Sequence, residues 1–136
     1  MNTKQKTVIY VRSSRAGKLD DVRTQKDRCK SYISAVFDDV KNVNDIPVYA
    51  DENLSSVNLD KMIEDVKNGN INNVIVSSLG CVAHHDLGLW GLIILFRQYN
   101  ARLIAINENI DTSSAVCDVA LEYHSLFSSL DDEDDD

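Results

Sequence analysis

Short apolar segments that alternate with helix-like stretches constrain the fold of this 136-residue chain more than any other feature. Four segments have the apolar, β-branched composition that is typical of buried strands, namely 7–12, 47–50, 72–79 and 102–106. The intervening stretches carry apolar residues at helical spacing. Strands that alternate with helices predict a three-layer α/β fold, with a mostly parallel central sheet of four or five strands and helices on both faces.

The helices are predicted from caps and apolar stripes. Asp20 or Asp21 can cap the first, whose apolar positions run from Val22 to Phe37. A second is expected over Leu59–Lys67, and a third over Leu87–Tyr99 with Asp86 as its cap. A last helix can begin near Thr112 or Ser113 and run to Leu130, with a wide stripe at Val116, Val119, Ala120, Tyr123, Leu126 and Phe127.

Charge is distributed unevenly along the chain. The net charge is −8, which disfavours nucleic-acid binding because phosphate contacts need Lys and Arg. Six acids form the terminal run 131–136, however, and without it the net charge is only −2. Nine of the 14 basic residues lie between Lys4 and Lys30. The sequence thus predicts either a local positive field around the first loop or a solvated basic helix face.

The first loop follows the strand 7–12 and begins with two serines. In parallel α/β sheets, functional groups gather where strands end. Strand alternation would bury Val11 and Ser13 on one face and project Arg12 and Ser14 together on the other. The loop that begins at Ser77 follows another strand, so Ser14 and Gly80 are expected at neighbouring strand ends.

Several motifs, taken in order, resemble one family. Tyr10-Val11-Arg12-Ser13-Ser14, followed by Gln25 on the first helix, resembles the start of the serine recombinase (resolvase/invertase) catalytic domain, where Tyr-x-Arg-x-Ser delivers the nucleophile. The segment 51–55 is similar to that family's Asp-x-x-x-Ser loop, 71–79 to its apolar strand, and 109–113 to the entry of its long last helix. The resemblance covers roughly residues 7 to 125.

The resemblance implies a chemistry and a set of site residues. A serine attacks a DNA phosphodiester and forms a phosphoserine bond that conserves the energy for rejoining, so no metal or cofactor is implied. Ser14 would be the nucleophile, with Ser13 as the alternative, Arg12 the nearby arginine and Gln25 the orienting glutamine. Phosphate or DNA contacts would come from Arg15, Lys18, Ser55 and His84.

The chain departs from the family pattern where cations are needed. After the third strand the family shows Leu-Asp-Arg-Leu-x-Arg, and this chain has Gly80 for the aspartate, Cys81 for the first arginine and His84 for the second. The loop 55–59 also lacks the arginine that the family carries there. The hypothesis is therefore a stand-alone, catalytically degenerate serine recombinase-like domain that acts through protein contacts or regulates a mobile element.

Two other functions stay open at this point. Arg12, Ser14 and Gln25 could suffice for DNA strand transesterification if another subunit supplied arginines. The first loop and the following helix N-terminus could instead bind phosphate or a small molecule, although Gly17 is the loop's single glycine. Cys81, His84 and His85 lie close in sequence, but a structural zinc site needs four ligands and no second cluster has paired spacing.

Domain limits, partners and location follow from the same observations. The predicted organisation is a resolvase-like domain over 1–112, an interface helix over 113–130 and an acidic disordered tail over 131–136. In the resembled family the last helix forms the dimer, so a homodimer or a heteromer with another recombinase-like protein is expected through Val119, Tyr123, Leu126 and Phe127. The acidic tail would weaken DNA binding.

The N-terminus lacks the apolar core of a signal peptide, and no run reaches the length of a membrane span. The three cysteines, Cys29, Cys81 and Cys117, are an odd number without paired spacing, which favours reduced thiols. These observations predict a cytoplasmic protein.

Overall fold

A computed structural model describes residues 6–14 and 19–114 of the chain. It contains five strands, β1 (Thr7–Ser13), β2 (Val48–Glu52), β3 (Asn73–Val76), β4 (Arg102–Ala105) and β5 (Ile110–Asp111). Three α-helices alternate with them, α1 (Val22–Val36), α2 (Val57–Lys67) and α3 (Gly88–Gln98). Single 3₁₀ turns lie at Val43–Asp45 and Leu79–Cys81.

The strands form one sheet in the order β2-β1-β3-β4-β5. The first four are parallel, and β5 runs antiparallel to β4. This confirms the predicted three-layer, mostly parallel α/β fold. Because β1 and β3 are hydrogen-bonded neighbours, Ser14 and Gly80 do follow neighbouring strand ends.

Two apolar layers cover the sheet. On one face, Val8 and Tyr10 of β1 pack in a core with buried residues of α2 and α3, among them Met62 and Phe96. On the other face, Ile9 and Val11 pack against α1 through buried side chains that include Cys29 and Ile33. The alternation along β1 therefore sends odd positions towards α1 and even positions towards α2 and α3, as a period of two requires.

Helix α1 starts as predicted, because Asp21 is its cap and accepts a hydrogen bond from the Thr24 backbone N–H at 2.8 Å. The prediction that Asp86 caps α3 is wrong. Leu87 occupies the cap position, and its backbone N–H donates to Nδ1 of His85 at 3.1 Å. No side-chain cap bond is made at this end of α3, because His85 binds the N–H of the cap residue itself and not an N–H of the first helical turn.

Other boundaries shift by a few residues. Strand β2 runs on to Glu52, beyond the expected end at Ala50, and β3 ends at Val76, where the chain turns towards Leu79. Residues 112–114 form a turn after β5, so the last helix does not begin at Thr112 or Ser113. The rest of that predicted helix and the acidic tail lie outside the described residues. Within the part of the chain that is described, no helix is long and apolar enough to cross a membrane.

Candidate functional site

The candidate site lies at the carboxyl ends of β2, β1 and β3, and Arg12 is its centre. The side chain of this arginine is buried, with the residue 8% exposed. Its Nε donates to the carbonyl oxygen of Cys81 at 2.9 Å, and its Nη1 donates to the carbonyl oxygens of Asn53 and Ser55 at 2.6 and 2.7 Å. Its Nη2 donates to the Tyr10 hydroxyl at 2.8 Å. At least four of the five guanidinium N–H groups are therefore used within the protein.

Tyr10 connects Arg12 to a buried carboxylate. The Tyr10 hydroxyl donates to Oδ2 of Asp51 at 2.8 Å while it accepts from Arg12. Burial, followed by the hydrogen bond to Asp51, raises the pKa of the Tyr10 phenol well above its usual value. The hydroxyl consequently stays protonated and links the cation to the anion.

Asp51 also holds the start of α2. Its two carboxylate oxygens accept the backbone N–H groups of Asn58 and Leu59 at 2.9 and 2.8 Å. Ser56, the residue at the cap position, makes no side-chain cap bond, so a carboxylate from the neighbouring strand replaces it. The charge also suits the positive end of the helix dipole.

Gln25 is fully buried, and each of its amide atoms makes two bonds. Oε1 accepts the Arg12 backbone N–H at 3.0 Å and the Cys81 thiol at 3.4 Å. Nε2 donates to the carbonyl oxygens of Arg12 and Asp20 at 2.7 and 2.6 Å. The amide is thus saturated by the protein and fixes the end of β1 against the start of α1.

Cys81 is bonded to both residues, because its thiol donates to Gln25 and its carbonyl oxygen accepts from Arg12. It is 1% exposed and lies near Ser77, whose Oγ is 3.9 Å from its sulfur. Burial raises the pKa of the Cys81 thiol, although hydrogen bonds from Ser77 and Ser78 act in the opposite direction. Burial likewise raises the pKa of Cys29 to about 12. Both thiols are free and protonated at neutral pH, which makes them poor nucleophiles.

The two serines of the motif come at the end of β1. Ser13 is the last residue of the strand and Ser14 follows it, both half-buried. Arg12 lies on the Tyr10 side of β1, as the alternation predicted. Among the described residues, Arg12 and Gln25 direct their hydrogen bonds to backbone atoms, Tyr10 and Cys81 rather than to the Ser14 hydroxyl.

The other predicted contact residues are dispersed. Ser55 is exposed, and its carbonyl oxygen, rather than its hydroxyl, meets Arg12. His84 is exposed, while Arg15 and Lys18 lie outside the described residues, as do all the predicted interface positions, Val119, Tyr123, Leu126 and Phe127. Across residues 6–14 and 19–114, no three His, Cys, Asp or Glu side chains stand close enough to hold a metal ion.

Two further residues make hydrogen bonds near this edge, His85, which the sequence analysis considered only as a possible zinc ligand, and Glu108, which it did not single out. The Nε2 atom of His85 lies 2.7 Å from Oδ1 of Asp60, and its Nδ1 accepts a hydrogen bond from the Leu87 backbone N–H. The ring proton is therefore on Nε2, and His85 donates to Asp60. Glu108, from the loop after β4, accepts the Leu79 N–H at 3.0 Å. Their only sequence signal is that each follows a predicted strand or precedes a predicted helix.

Charges of both signs lie at the described edge. Arg12 is linked through Tyr10 to the buried Asp51, Glu52 ends β2 and Glu108 lies on the loop after β4, which Arg28 of α1 also reaches by donating to Oδ1 of Asn107 at 2.6 Å. The loop after β3 has little room for larger side chains. A Cβ added at Gly80 would lie 3.0 Å from Cδ2 of Leu19. The arrangement ties three loops together and offers few free donors to an anion.

Comparison with known proteins gives one family. The model of the resolvase N-terminal domain matches residues 7–133. No curated protein matches the sequence significantly. Among solved structures, the N-terminal catalytic domain of TP901-1 integrase is similar, with 24% identity, a TM-score of 0.67, and coverage of 95% of this chain and 98% of that one.

Two further structures share the fold. A resolvase family site-specific recombinase from Streptococcus pneumoniae is 21% identical with a TM-score of 0.67, over 93% of this chain and 89% of that one. The C-terminal catalytic domain of ISC1926 TnpA, an IS607-like serine recombinase, is 19% identical with a TM-score of 0.60, over 74% of this chain and 70% of that one.

Proposed function

Because the chain belongs to the resolvase N-terminal domain family, we propose that it is a serine recombinase-like domain that has lost DNA cleavage and acts through protein contacts. Its role would lie in site-specific recombination, either by association with an active recombinase or by regulation of a mobile element. The observation that carries this proposal is the saturation of Arg12 by loop carbonyls and Tyr10.

Phosphoryl transfer needs free cationic donors. The transition state spreads negative charge over its equatorial oxygens, and arginine stabilises it through a two-pronged fork. Arg12 already commits both Nη1 protons to Asn53 and Ser55, so it cannot present that fork without releasing the loop after β2. Gln25 is saturated in the same way. In this chain both residues support positioning rather than contact with a phosphate.

The arginines that this chain lacks further reduce the number of cationic donors for the transition state. Gly80, Cys81 and His84 occupy the three positions at which the resembled motif has an aspartate and two arginines. Loss of one charge-stabilising donor typically costs about 2.7 to 4 kcal/mol in the transition state. Three lost arginines, at Cys81, at His84 and in the loop 55–59, together with a committed Arg12 would therefore lower the rate of cleavage by several decades.

The test of lost cleavage is a search for a covalent protein–DNA adduct. The protein is incubated with a pool of supercoiled plasmids that carry randomised inserts, and adducts are trapped by denaturation. We expect none. An adduct that disappears in Ser14→Ala but persists in Ser13→Ala would contradict the proposal and restore the enzyme.

A second measurement does not depend on the DNA site. The Arg12 Nε–H should exchange slowly with solvent because it is buried against the Cys81 carbonyl, and its NMR resonance should stay unchanged when phosphate or duplex DNA is added. Arg23, exposed on α1, serves as the control whose resonance responds to added anions. A specific shift of the Arg12 resonance would show that the guanidinium is available to phosphate.

Self-association is the second part of the proposal. The segment 113–130 carries the apolar positions Val119, Tyr123, Leu126 and Phe127, whose burial between two chains would contribute about 1.5 to 3 kcal/mol for each large side chain. The acidic run 131–136 would oppose the association, so the complex should tighten with salt. Sedimentation at several salt concentrations tests this, with Leu126→Asp as the disrupting variant. A monomer under all conditions would remove the interface.

A further inference from the structure

Leu54 and Val57 are the most exposed large apolar side chains of the described residues, at 83% and 72%. Two serines separate them: Leu54 lies on the loop that joins β2 to α2, and Val57 is the first residue of α2, so their Cα atoms lie at most about 11 Å apart. Single exposed leucines are ordinary on protein surfaces. This pair lies beside the Arg12 network, and hydrogen bonds from Arg12 hold the loop that carries Leu54.

The loop is fixed from beneath by a buried charge. Arg12 Nη1 binds the carbonyl oxygens of Asn53 and Ser55, which flank Leu54 on either side. The Asn53 backbone N–H donates to the Ser13 carbonyl at 2.8 Å, and Asn53 itself adopts a left-handed conformation with φ of 53°. Asparagine tolerates that region, and the turn directs the chain outwards. A loop that is already ordered loses little conformational entropy when it binds.

The surroundings of the pair indicate the partner. Glu52 precedes it and Asp60 follows it, both exposed, while Lys61 on the next turn of α2 offsets part of this charge. Leucine and valine cannot pair with phosphates, and the carboxylates would repel a nucleic acid. We propose that Leu54 and Val57 form a docking site for a protein that offers an apolar pocket bordered by basic side chains. Neither residue belongs to segment 113–130, and the proposal does not depend on whether Ser14 cleaves DNA.

The experiment uses a random peptide library displayed on phage and the full-length protein. Peptides are selected on the wild type and counter-selected on the double variant Leu54→Ser/Val57→Ser. The recovered peptides should contain aliphatic or aromatic residues flanked by Lys or Arg. Measured as synthetic peptides, they should bind the double variant at least tenfold more weakly, and their affinity for the wild type should fall as salt is raised.

Val36→Ser is the matched control. Val36 is also apolar and half-exposed, but it lies at the end of α1, and its replacement should leave peptide affinity unchanged within twofold. Recovery of no peptide that distinguishes the wild type from the double variant would overturn the proposal. So would self-association of the wild type that is lost in the double variant, since the occupant would then be a second copy, or loss of duplex DNA binding in that variant.

Discussion

Two arginines in this domain differ both in solvent exposure and in the number of groups they bind. Arg12 is buried at the carboxyl end of β1, and its partners are three backbone carbonyls and a tyrosine hydroxyl. Arg102 begins β4, and its side chain is 36% exposed. It pairs with Asp111 on β5 at 2.7 Å and lies over the Phe37 ring at 5.7 Å from the ring centre. Arg12 joins loops through its hydrogen bonds, whereas Arg102 forms an ion pair across β4 and β5.

We expect solvent access and the number of buried partners together to decide what each arginine contributes to stability. A buried charge stabilises a fold only when its whole set of partners is in place, and the removal of one member leaves other groups unpaired without water to replace it. A half-exposed ion pair loses little, because water solvates whatever remains. The same side chain is therefore a structural centre in one region and a minor contributor in the other.

The largest expected effect comes from Arg12→Met, which keeps the length of the side chain and removes every donor. The carbonyl oxygens of Asn53, Ser55 and Cys81 would lose their partner, and Asp51 would lose its linked cation. We expect the free energy of unfolding to fall by about 3 to 5 kcal/mol. The matched variant Arg102→Met should cost about 0 to 1 kcal/mol.

Urea unfolding at neutral pH measures both variants. The comparison would fail if the two arginine variants lost similar amounts of stability. In that case water would be reaching the carbonyls beneath the loop after β2, and Arg12 would be neither buried nor committed in the way that the proposed loss of chemistry requires.

A smaller effect is expected from the hydroxyl that links the network. Tyr10→Phe removes the bridge between Arg12 and Asp51 in a buried position and should cost about 1 to 3 kcal/mol. Tyr49→Phe is its counterpart, since the Tyr49 hydroxyl also binds a carboxylate, Asp65, at 2.7 Å but near the surface. Burial and then that bond raise the pKa of Tyr49 to about 12.

Tyr49→Phe should lower the free energy of unfolding by well under 1 kcal/mol, because water can replace the hydroxyl as the hydrogen-bond donor to the Asp65 carboxylate. A double-mutant cycle between Tyr10→Phe and Asp51→Asn should give a coupling energy, whereas one between Tyr49→Phe and Asp51→Asn should be additive. Coupling in both cycles would mean that the two tyrosines belong to one network, contrary to the separation seen here.

Local pattern was enough to predict most of the fold. The apolar runs of β1, β3 and β4 and the cap at Asp21 are properties of neighbouring residues, so the sequence contains their cause. Asp51 was expected in a loop because the apolar run of the second strand ends at Ala50 and the segment 51–55 resembles the family's Asp-x-x-x-Ser loop. It belongs to β2 because Asn58, Leu59 and Tyr10 satisfy it, and none of these is identifiable as a partner before the chain has folded.

The candidate site was predictable in its location but not in its bonding. The strand alternation predicted that Arg12 lies on the face opposite Val11 and Ser13, and the resemblance drew attention to Gln25. That Arg12 meets carbonyls from two distant loops depends on the backbone path of both, which side-chain identity does not encode. Asp86 is not the cap because α3 begins at Gly88, one residue later than expected, with Leu87 at the cap position.

The smallest expected effect is the pH dependence of the exposed pair. Burial by itself would raise the pKa of Asp111, but hydrogen bonds from Arg102 and Ser113 outweigh it and hold that pKa below its usual value. A lowered folded-state pKa contributes stability above the unfolded value of about 3.9, and this contribution is lost as pH falls through the folded pKa. Asp111→Asn should therefore be less stable than wild type by under about 1 kcal/mol at pH 7, with the difference shrinking below about pH 4. The pKa of Asp21 is also lowered by its bond from Thr24, but Asp21 is present in both proteins and cancels from the comparison.

Urea midpoints between pH 2 and 7 measure the difference, and 1 M salt should reduce it at pH 7, because the pair is open to screening. A difference that persists undiminished at pH 2 would show that Asp111 acts through packing rather than charge, and that the contrast between the two arginines is not one of solvent access.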